Sequence, residues 1–316
     1  MQYGKILLFL ILSFGLSIFG SFIPGWFLDA DSLFLPFSKM LMYCWGPAAA
    51  AIIVHKFIYG GSMARYGWNR KHYSFRWILG TIFLPLLVVA GTVAYTFLFG
   101  GVLHIPGFGE VIFGGEGFVG RYMDAQTEFG HSWWNEVQMP PEGWMLAGIL
   151  LVLGIVAGTT FNLLFNVGEE VGWRGFMLVE TKSMGFWGSN FFIGSVWGLW
   201  FLPLAALMGD EGSLAYGLIS KSSVDLFPIL QFMAYYICMA PLLAYFSIKS
   251  RSIYASATIN GVMSWVGGLA GFFIVDAHPI FAGTHGLTGL MTIITILGVI
   301  LYLDKDFVKN YDKWVY

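Results

Sequence analysis

Eight stretches of mostly apolar residues divide this chain into hydrophobic runs and polar connections, near 6–26, 35–58, 77–100, 144–168, 186–208, 226–248, 252–275 and 286–303. Crossing the hydrocarbon of a bilayer takes about 20 such residues. A backbone in hydrocarbon must satisfy its own N–H and C=O groups, so runs of this kind dictate helices. The expected fold class is all-α: a polytopic membrane helix bundle of about eight transmembrane helices, with residues 1–316 as one membrane domain. Only 11% of the residues are charged and 57% are hydrophobic, whereas soluble domains carry roughly 25% charged residues. There are too few ionic groups here to cover a water-facing surface. The first run, Ile6 to Ile23, reads as an uncleaved helix, since Lys5 stands alone before it and no small-x-small cleavage site follows.

Lys and Arg give the orientation. Thirteen of them, Lys5, Lys56, Arg65, Arg70, Lys71, Arg76, Arg174, Lys182, Lys249, Arg251, Lys305, Lys309 and Lys313, fall on one side of the eight runs. Lys39, Arg121 and Lys221 fall on the other. The expectation is an integral protein of the cell membrane with both termini cytoplasmic. The longest external connection, 101–143, holds six carboxylates against Arg121. Its "GGEGFVG" fits GxGxxG at Gly115, Gly117 and Gly120, but no strand precedes it, which argues against a nucleotide site. His131 with Glu128 and Glu136 reads as a solvated loop, not a metal site, and no cofactor motif is evident. With a net charge of −2 and no basic stripe, no nucleic-acid partner is expected. Cys44 and Cys238 read as small core residues. Gly194 with Gly198, and Gly267 with Gly271, are spaced for close helix approach.

Ionisable residues at or inside spans are costly and mark function. "FNVGEEVGWRGF", residues 165–176, places Glu169, Glu170 and Arg174 together after an apolar run. If the helix continues, Glu170 and Arg174 are i,i+4 neighbours and pair. Glu169 lies about 100° round the helix, leaving one carboxylate anchored and the other free to act as a base. The alternative is that all three merely anchor a helix end at the interface.

These residues carry a resemblance. "EEVGWRG" resembles the E-E-x-x-x-R signature of the CPBP family, the CAAX proteases and bacteriocin-processing (Abi-like) membrane proteins. "WGLWFLPL" (197–204) is similar to the family's W-G-L-W-H-L-P-L stretch, and "RSIYASATINGVMSW" (251–265) to its S-x-x-x-A-x-x-x-H-x-x-x-N helix. Weaker likenesses run from "WGPAAAAIIVHKFIYGG" (45–61) to "AGTHGLTGLM" (282–291). The resemblance implies an eight-helix fold and glutamate-dependent peptide hydrolysis in the membrane. It sets the water-activating glutamate on Glu169 and the arginine on Arg174, with Glu170 between them. The second-motif histidine falls on Phe201, flanked by Trp197 and Trp200. The last histidine falls on Asn260 and its asparagine on Ser264, or, in another register, on Ser256 and Asn260. Neither register supplies an imidazole.

On topology, His55 is the remaining histidine best placed to substitute, although a packed role suits it better. His72 belongs to a cytoplasmic loop, and His104, His131, His278 and His285 map to the far side. H-E-x-x-H is absent, as is an aspartyl pair within the spans, where Asp210 and Asp276 stand at external helix ends. Three readings stay open. One is a non-hydrolytic or impaired CPBP-like protein that binds a membrane-protein partner or a prenylated or hydrophobic peptide. Another is an active CAAX-type endopeptidase, and the third is a transporter-like binder of a polar ligand.

Overall fold

The computed structural model describes residues 3–29, 32, 34–67, 73–128, 143–207 and 226–315. The chain is a helical bundle. Helix α1 (Tyr3–Phe22) is followed by α2 (Phe34–Cys44) and α3 (Gly46–Ala51), which continue through a π turn to Ile58. Next come α4 (Phe75–Thr96), α5 (Gly115–Glu128), α6 (Gly143–Thr159) and α7 (Phe161–Glu170). A π turn, Val171–Met177, carries α7 into the short α8 (Leu178–Glu180). Then follow α9 (Gly185–Leu207), α10 (Leu226–Ser250), α11 (Ile253–Val266) and α12 (Leu287–Leu303), with α13 (Asp306–Lys309) and α14 (Tyr311–Trp314) last.

Among the described residues, four helices are long and apolar enough to cross a membrane: Tyr3–Trp26, Phe34–Ile58, Phe75–Val102 and Ile229–Ser250. The pair α6 and α7–α8, bent by 47° at Thr160, is a broken span or a re-entrant loop, and counts as a fifth where it is taken as one span. The expected run over 252–275 is a helix of only 14 residues, continued by a 3-10 turn, Gly267–Phe273. Its shortness has a physical reason. Ile253, Ala255, Ser256, Ala257, Thr258 and Ile259 are consecutive or nearly so and all buried. A helix buried on every face lies inside the bundle, so other helices, not lipid, set its length.

The expected end of the fourth run, near 168, is also displaced. The helix continues to Glu180, because the charges of the Glu-Glu motif face protein and do not mark a membrane boundary. Two glycines make this possible. A Cβ on Gly168 would stand 2.7 Å from the Cys44 carbonyl oxygen, and one on Gly172 would stand 2.4 Å from Pro47 Cβ. Only glycine lets the motif helix lie this close to the α2–α3 junction. The Gly194 and Gly198 contact is of the same kind, since their Cβ atoms would come within 2.6 and 2.9 Å of Ile237 Cα and Met233 Cα on α10. Gly267 and Gly271 do not behave as such a pair, because a Cβ on Gly271 would meet nothing within 4 Å.

The connection over 101–143 is ordered in part. Glu110–Val111 pairs antiparallel with Ile274–Val275, and α5 packs Phe118 and Tyr122 against α6 and Phe272. The Gly115, Gly117 and Gly120 stretch is the first part of α5. His131 and Glu136 lie outside the described residues. Cys44 is buried, Cys238 half-buried, and both are free thiols.

Candidate functional site

Depth decides which side chains meet. Glu169 lies 11 residues before Glu180, and Trp197 lies 12 residues after Gly185, on helices joined by a short turn. At 1.5 Å per residue both sit about 16–18 Å from that end of the bundle. The match is realised as a contact. Trp197 Nε1 donates to Glu169 Oε2 at 3.1 Å. The Cys44 thiol, next to the Gly168 contact, also interacts with the Glu169 carboxyl group. Glu169 is 3% exposed and Trp197 fully buried.

Glu170 points elsewhere, as helical spacing requires. Arg174 Nη1 donates to its Oε1 at 3.2 Å, and both side chains are enclosed. Ser256 on α11 interacts with the same carboxylate; its Oγ accepts from Ser247 at 2.8 Å and donates to the Ile253 carbonyl at 2.9 Å. The Arg174 guanidinium lies over the Trp197 ring, 4.0 Å from ring centre to Cζ. One indole therefore takes a cation on its face and gives its N–H to a carboxyl group. Glu170 Oε2, Arg174 Nε and Nη2 and Trp173 Nε1 are buried with no hydrogen-bond partner among the described residues.

The rest of the wall is aromatic. Phe201, one turn beyond Trp197, is 4% exposed. It stacks on Tyr236 of α10, with centroids 4.9 Å apart and planes 11° from parallel, and meets Phe232 edge-on at 5.6 Å. Tyr236 also packs on Trp197 at 4.1 Å and borders Arg174. Trp200 has a structural part. Its Nε1 donates to Ser17 Oγ on α1 at 2.9 Å, Ser17 Oγ donates to the Tyr43 carbonyl at 2.9 Å, and the Tyr43 hydroxyl donates to the Trp200 carbonyl.

Asn260 lies one turn after Ser256 on α11 and is buried, but no hydrogen bond joins its side chain to Glu169, Glu170 or Arg174. Ser264 is exposed, and its hydroxyl turns back to the Asn260 carbonyl at 2.8 Å. The structure thus brings together Glu169, Glu170, Arg174, Trp197 and Ser256. It sets Phe201 and Asn260 one helical turn from them and leaves Ser264 outside.

None of the described histidines is a partner of Glu169. His55 Nδ1 is 2.9 Å from Lys5 Nζ, which in turn pairs with Glu180 Oε1 at 2.6 Å. Tyr66 donates to the same Glu180 oxygen at 2.9 Å. That buried clasp ties α1, the π turn after α3 and α8 together at their shared end. His285 packs on Tyr235 and Phe232, with centroids at 4.4 and 5.7 Å. His278 packs on Phe281 at 6.1 Å, and His104 holds a left-handed backbone at φ 52°. His72 lies outside the described residues.

Cys44, Tyr236 and Ser247 complete the surroundings without having stood out in the sequence. Cys44 had one signal, its place directly before "WGPAAAA", whose small residues let the motif helix approach. Tyr236 and Ser247 had none, because an aromatic and a hydroxyl inside an apolar run look like ordinary packing. Clefts of about 500 and 660 Å³ lie elsewhere, lined by other residues.

Residues 143–266, from the start of α6 to the end of α11, match the family model described as type II CAAX prenyl endopeptidase Rce1-like. The matched stretch contains Glu169, Glu170, Arg174, Trp197, Phe201 and Asn260, and it agrees with the CPBP resemblance of the motifs. No curated protein matches the chain.

Proposed function

We propose that this is a CPBP-like membrane protein whose glutamate site has lost most or all of its hydrolytic power, and that it binds a hydrophobic peptide or a membrane-protein partner. The observation that carries this reading is the pair of groups on Glu169: an indole N–H and a thiol. Both are donors, and neither accepts a proton from water. The position that the resemblance gives to the second-motif histidine is Phe201, stacked on Tyr236, and a benzyl ring has no group to accept a proton or orient a water.

Positioned acid–base help contributes about 10²–10⁴-fold, and an oxyanion donor about 10²–10³-fold. Loss of the first and weakening of the second leave an enclosed polar site with little turnover. The test is cleavage of prenylated and transmembrane peptides by purified protein, beside capture of bound peptides by the wild type and by Glu169→Gln. Binding without cleavage is the expected result. Turnover that stops on Glu169→Gln would establish the second reading, an active glutamate endopeptidase, which the enclosure of Glu169 and the family match favour.

A further inference from the structure

A second site lies away from Glu169. Where α9 and α10 touch at Gly194 and Gly198, their backbones are in contact. On the Gly185 side of that contact, with α12 as a third wall, lies a cleft of about 660 Å³. Its volume is in the range of ligand sites, about 300–1,000 Å³. Phe191 and Ile294 on its walls are exposed large apolar residues on helices of a membrane bundle, so it faces hydrocarbon.

One buried acceptor in this apolar lining lacks a donor among the described residues. Asn190 is 1% exposed; its Nδ2 donates to the Phe186 carbonyl at 2.8 Å, while its Oδ1 has no partner. Across the cleft, Pro241 has no N–H to return to the carbonyl of Ile237, four residues earlier, and both residues line the same space. An amide oxygen buried without a donor costs as much as a lost hydrogen bond. A buried acceptor without a donor selects a ligand that brings one. A phosphodiester or a quaternary ammonium has none, and a charged amine is too costly to bury in apolar surroundings. Asn190 is five residues into α9, about 8 Å from its start, a depth suited to a hydroxyl with a chain reaching inward.

We propose that this cleft binds a neutral lipid with a free hydroxyl, its alkyl body along Phe191, Leu297 and Gly298 and its O–H donating to Asn190 Oδ1. Gly298 offers the means of closing it, since a Cβ there would meet nothing within 4 Å.

The experiment uses the full chain in lipid nanodiscs with a diazirine-bearing hexadecanol and its methyl ether, followed by mass-spectrometric mapping of the label. The alcohol should label the α9, α10 and α12 walls saturably, and the ether about three- to tenfold more weakly for want of one hydrogen bond. Gly298→Phe should remove the label, Asn190→Leu should bring the alcohol down to the level of the ether, and Glu169→Gln should change nothing. Equal labelling of wild-type protein by alcohol and ether would overturn the proposal, and that comparison needs no variant to fold. Labelling of Gly298→Phe at the wild-type level would overturn it too.

Discussion

Trp197 and Glu169 meet between two neighbouring helices, with Nε1 3.1 Å from Oε2, while a face of the same indole carries Arg174 at 4.0 Å. The tryptophan thereby separates the two glutamates. Glu169 is held by the ring's edge, and Glu170 is held by the guanidinium that the ring supports. Trp197→Phe keeps a face for Arg174 and deletes the donor to Glu169. A hydrogen bond contributes about 0.5–1.5 kcal/mol net, so the variant should melt at a measurably lower temperature in detergent. An unchanged melting temperature would contradict the contact.

Glu170 and Arg174 form an enclosed ion pair. Removing one partner from such a pair costs about 3–5 kcal/mol, whereas replacing both with apolar groups is often neutral. Glu170→Gln and Arg174→Met should each destabilise strongly, and Glu170→Leu combined with Arg174→Met should recover most of the loss. A thermal double-mutant cycle reads the outcome, and simple additivity would show that the pair does not act as a unit.

Gly172 is the tightest point of the motif helix, with a hypothetical Cβ 2.4 Å from Pro47 Cβ. Gly172→Val should force the helix off the α2–α3 junction, at about 1–3 kcal/mol or more for overpacking. Loss of the monodisperse peak in size-exclusion chromatography checks this. Gly271→Ala, where no atom lies within 4 Å, is the control that should behave as wild type.

Lys5 and Glu180 pair at 2.6 Å in a buried setting shared with His55 and Tyr66. Lys5→Met removes the 2.6 Å charged contact to Glu180, and the expected loss is about 1.5–3 kcal/mol. Because the clasp holds α1, limited proteolysis should cut near the amino-terminal helix first. Unaltered cleavage kinetics would argue against the clasp.

Restoring imidazoles probes the glutamate site itself. Phe201→His with Asn260→His should raise peptide hydrolysis by about 10²–10⁴-fold if general acid–base help is what is missing. The gain should vanish on adding Glu169→Gln. No gain in a folded double variant would mean that the surrounding aromatic wall, not the absent imidazoles, limits the chemistry.

The helical membrane class was legible in the sequence because hydrocarbon leaves the backbone no other way to satisfy itself. So was the pairing of Glu170 with Arg174, since the i,i+4 rule brings them together whatever surrounds them. Segment ends were less legible. A charge reads as a boundary only if it faces water or headgroups, and Glu169, Glu170 and Arg174 face protein. The 14-residue α11 escaped for a related reason, because hydropathy measures apolarity and does not distinguish lipid-facing from bundle-facing residues.

The sequence by itself determined that this chain forms apolar helices and that one of them carries a paired and an unpaired carboxylate, since both follow from backbone chemistry and local spacing. Only the tertiary structure decided what meets the unpaired one. Glu169 finds Trp197 and Cys44 because close contacts at Gly168, Gly172, Gly194 and Gly198 set helix depth, and depth is a property of packing between segments far apart in the chain. The same packing sets Asn190, with its Oδ1 unpartnered, in the wall of a cleft, which no local pattern in the sequence records.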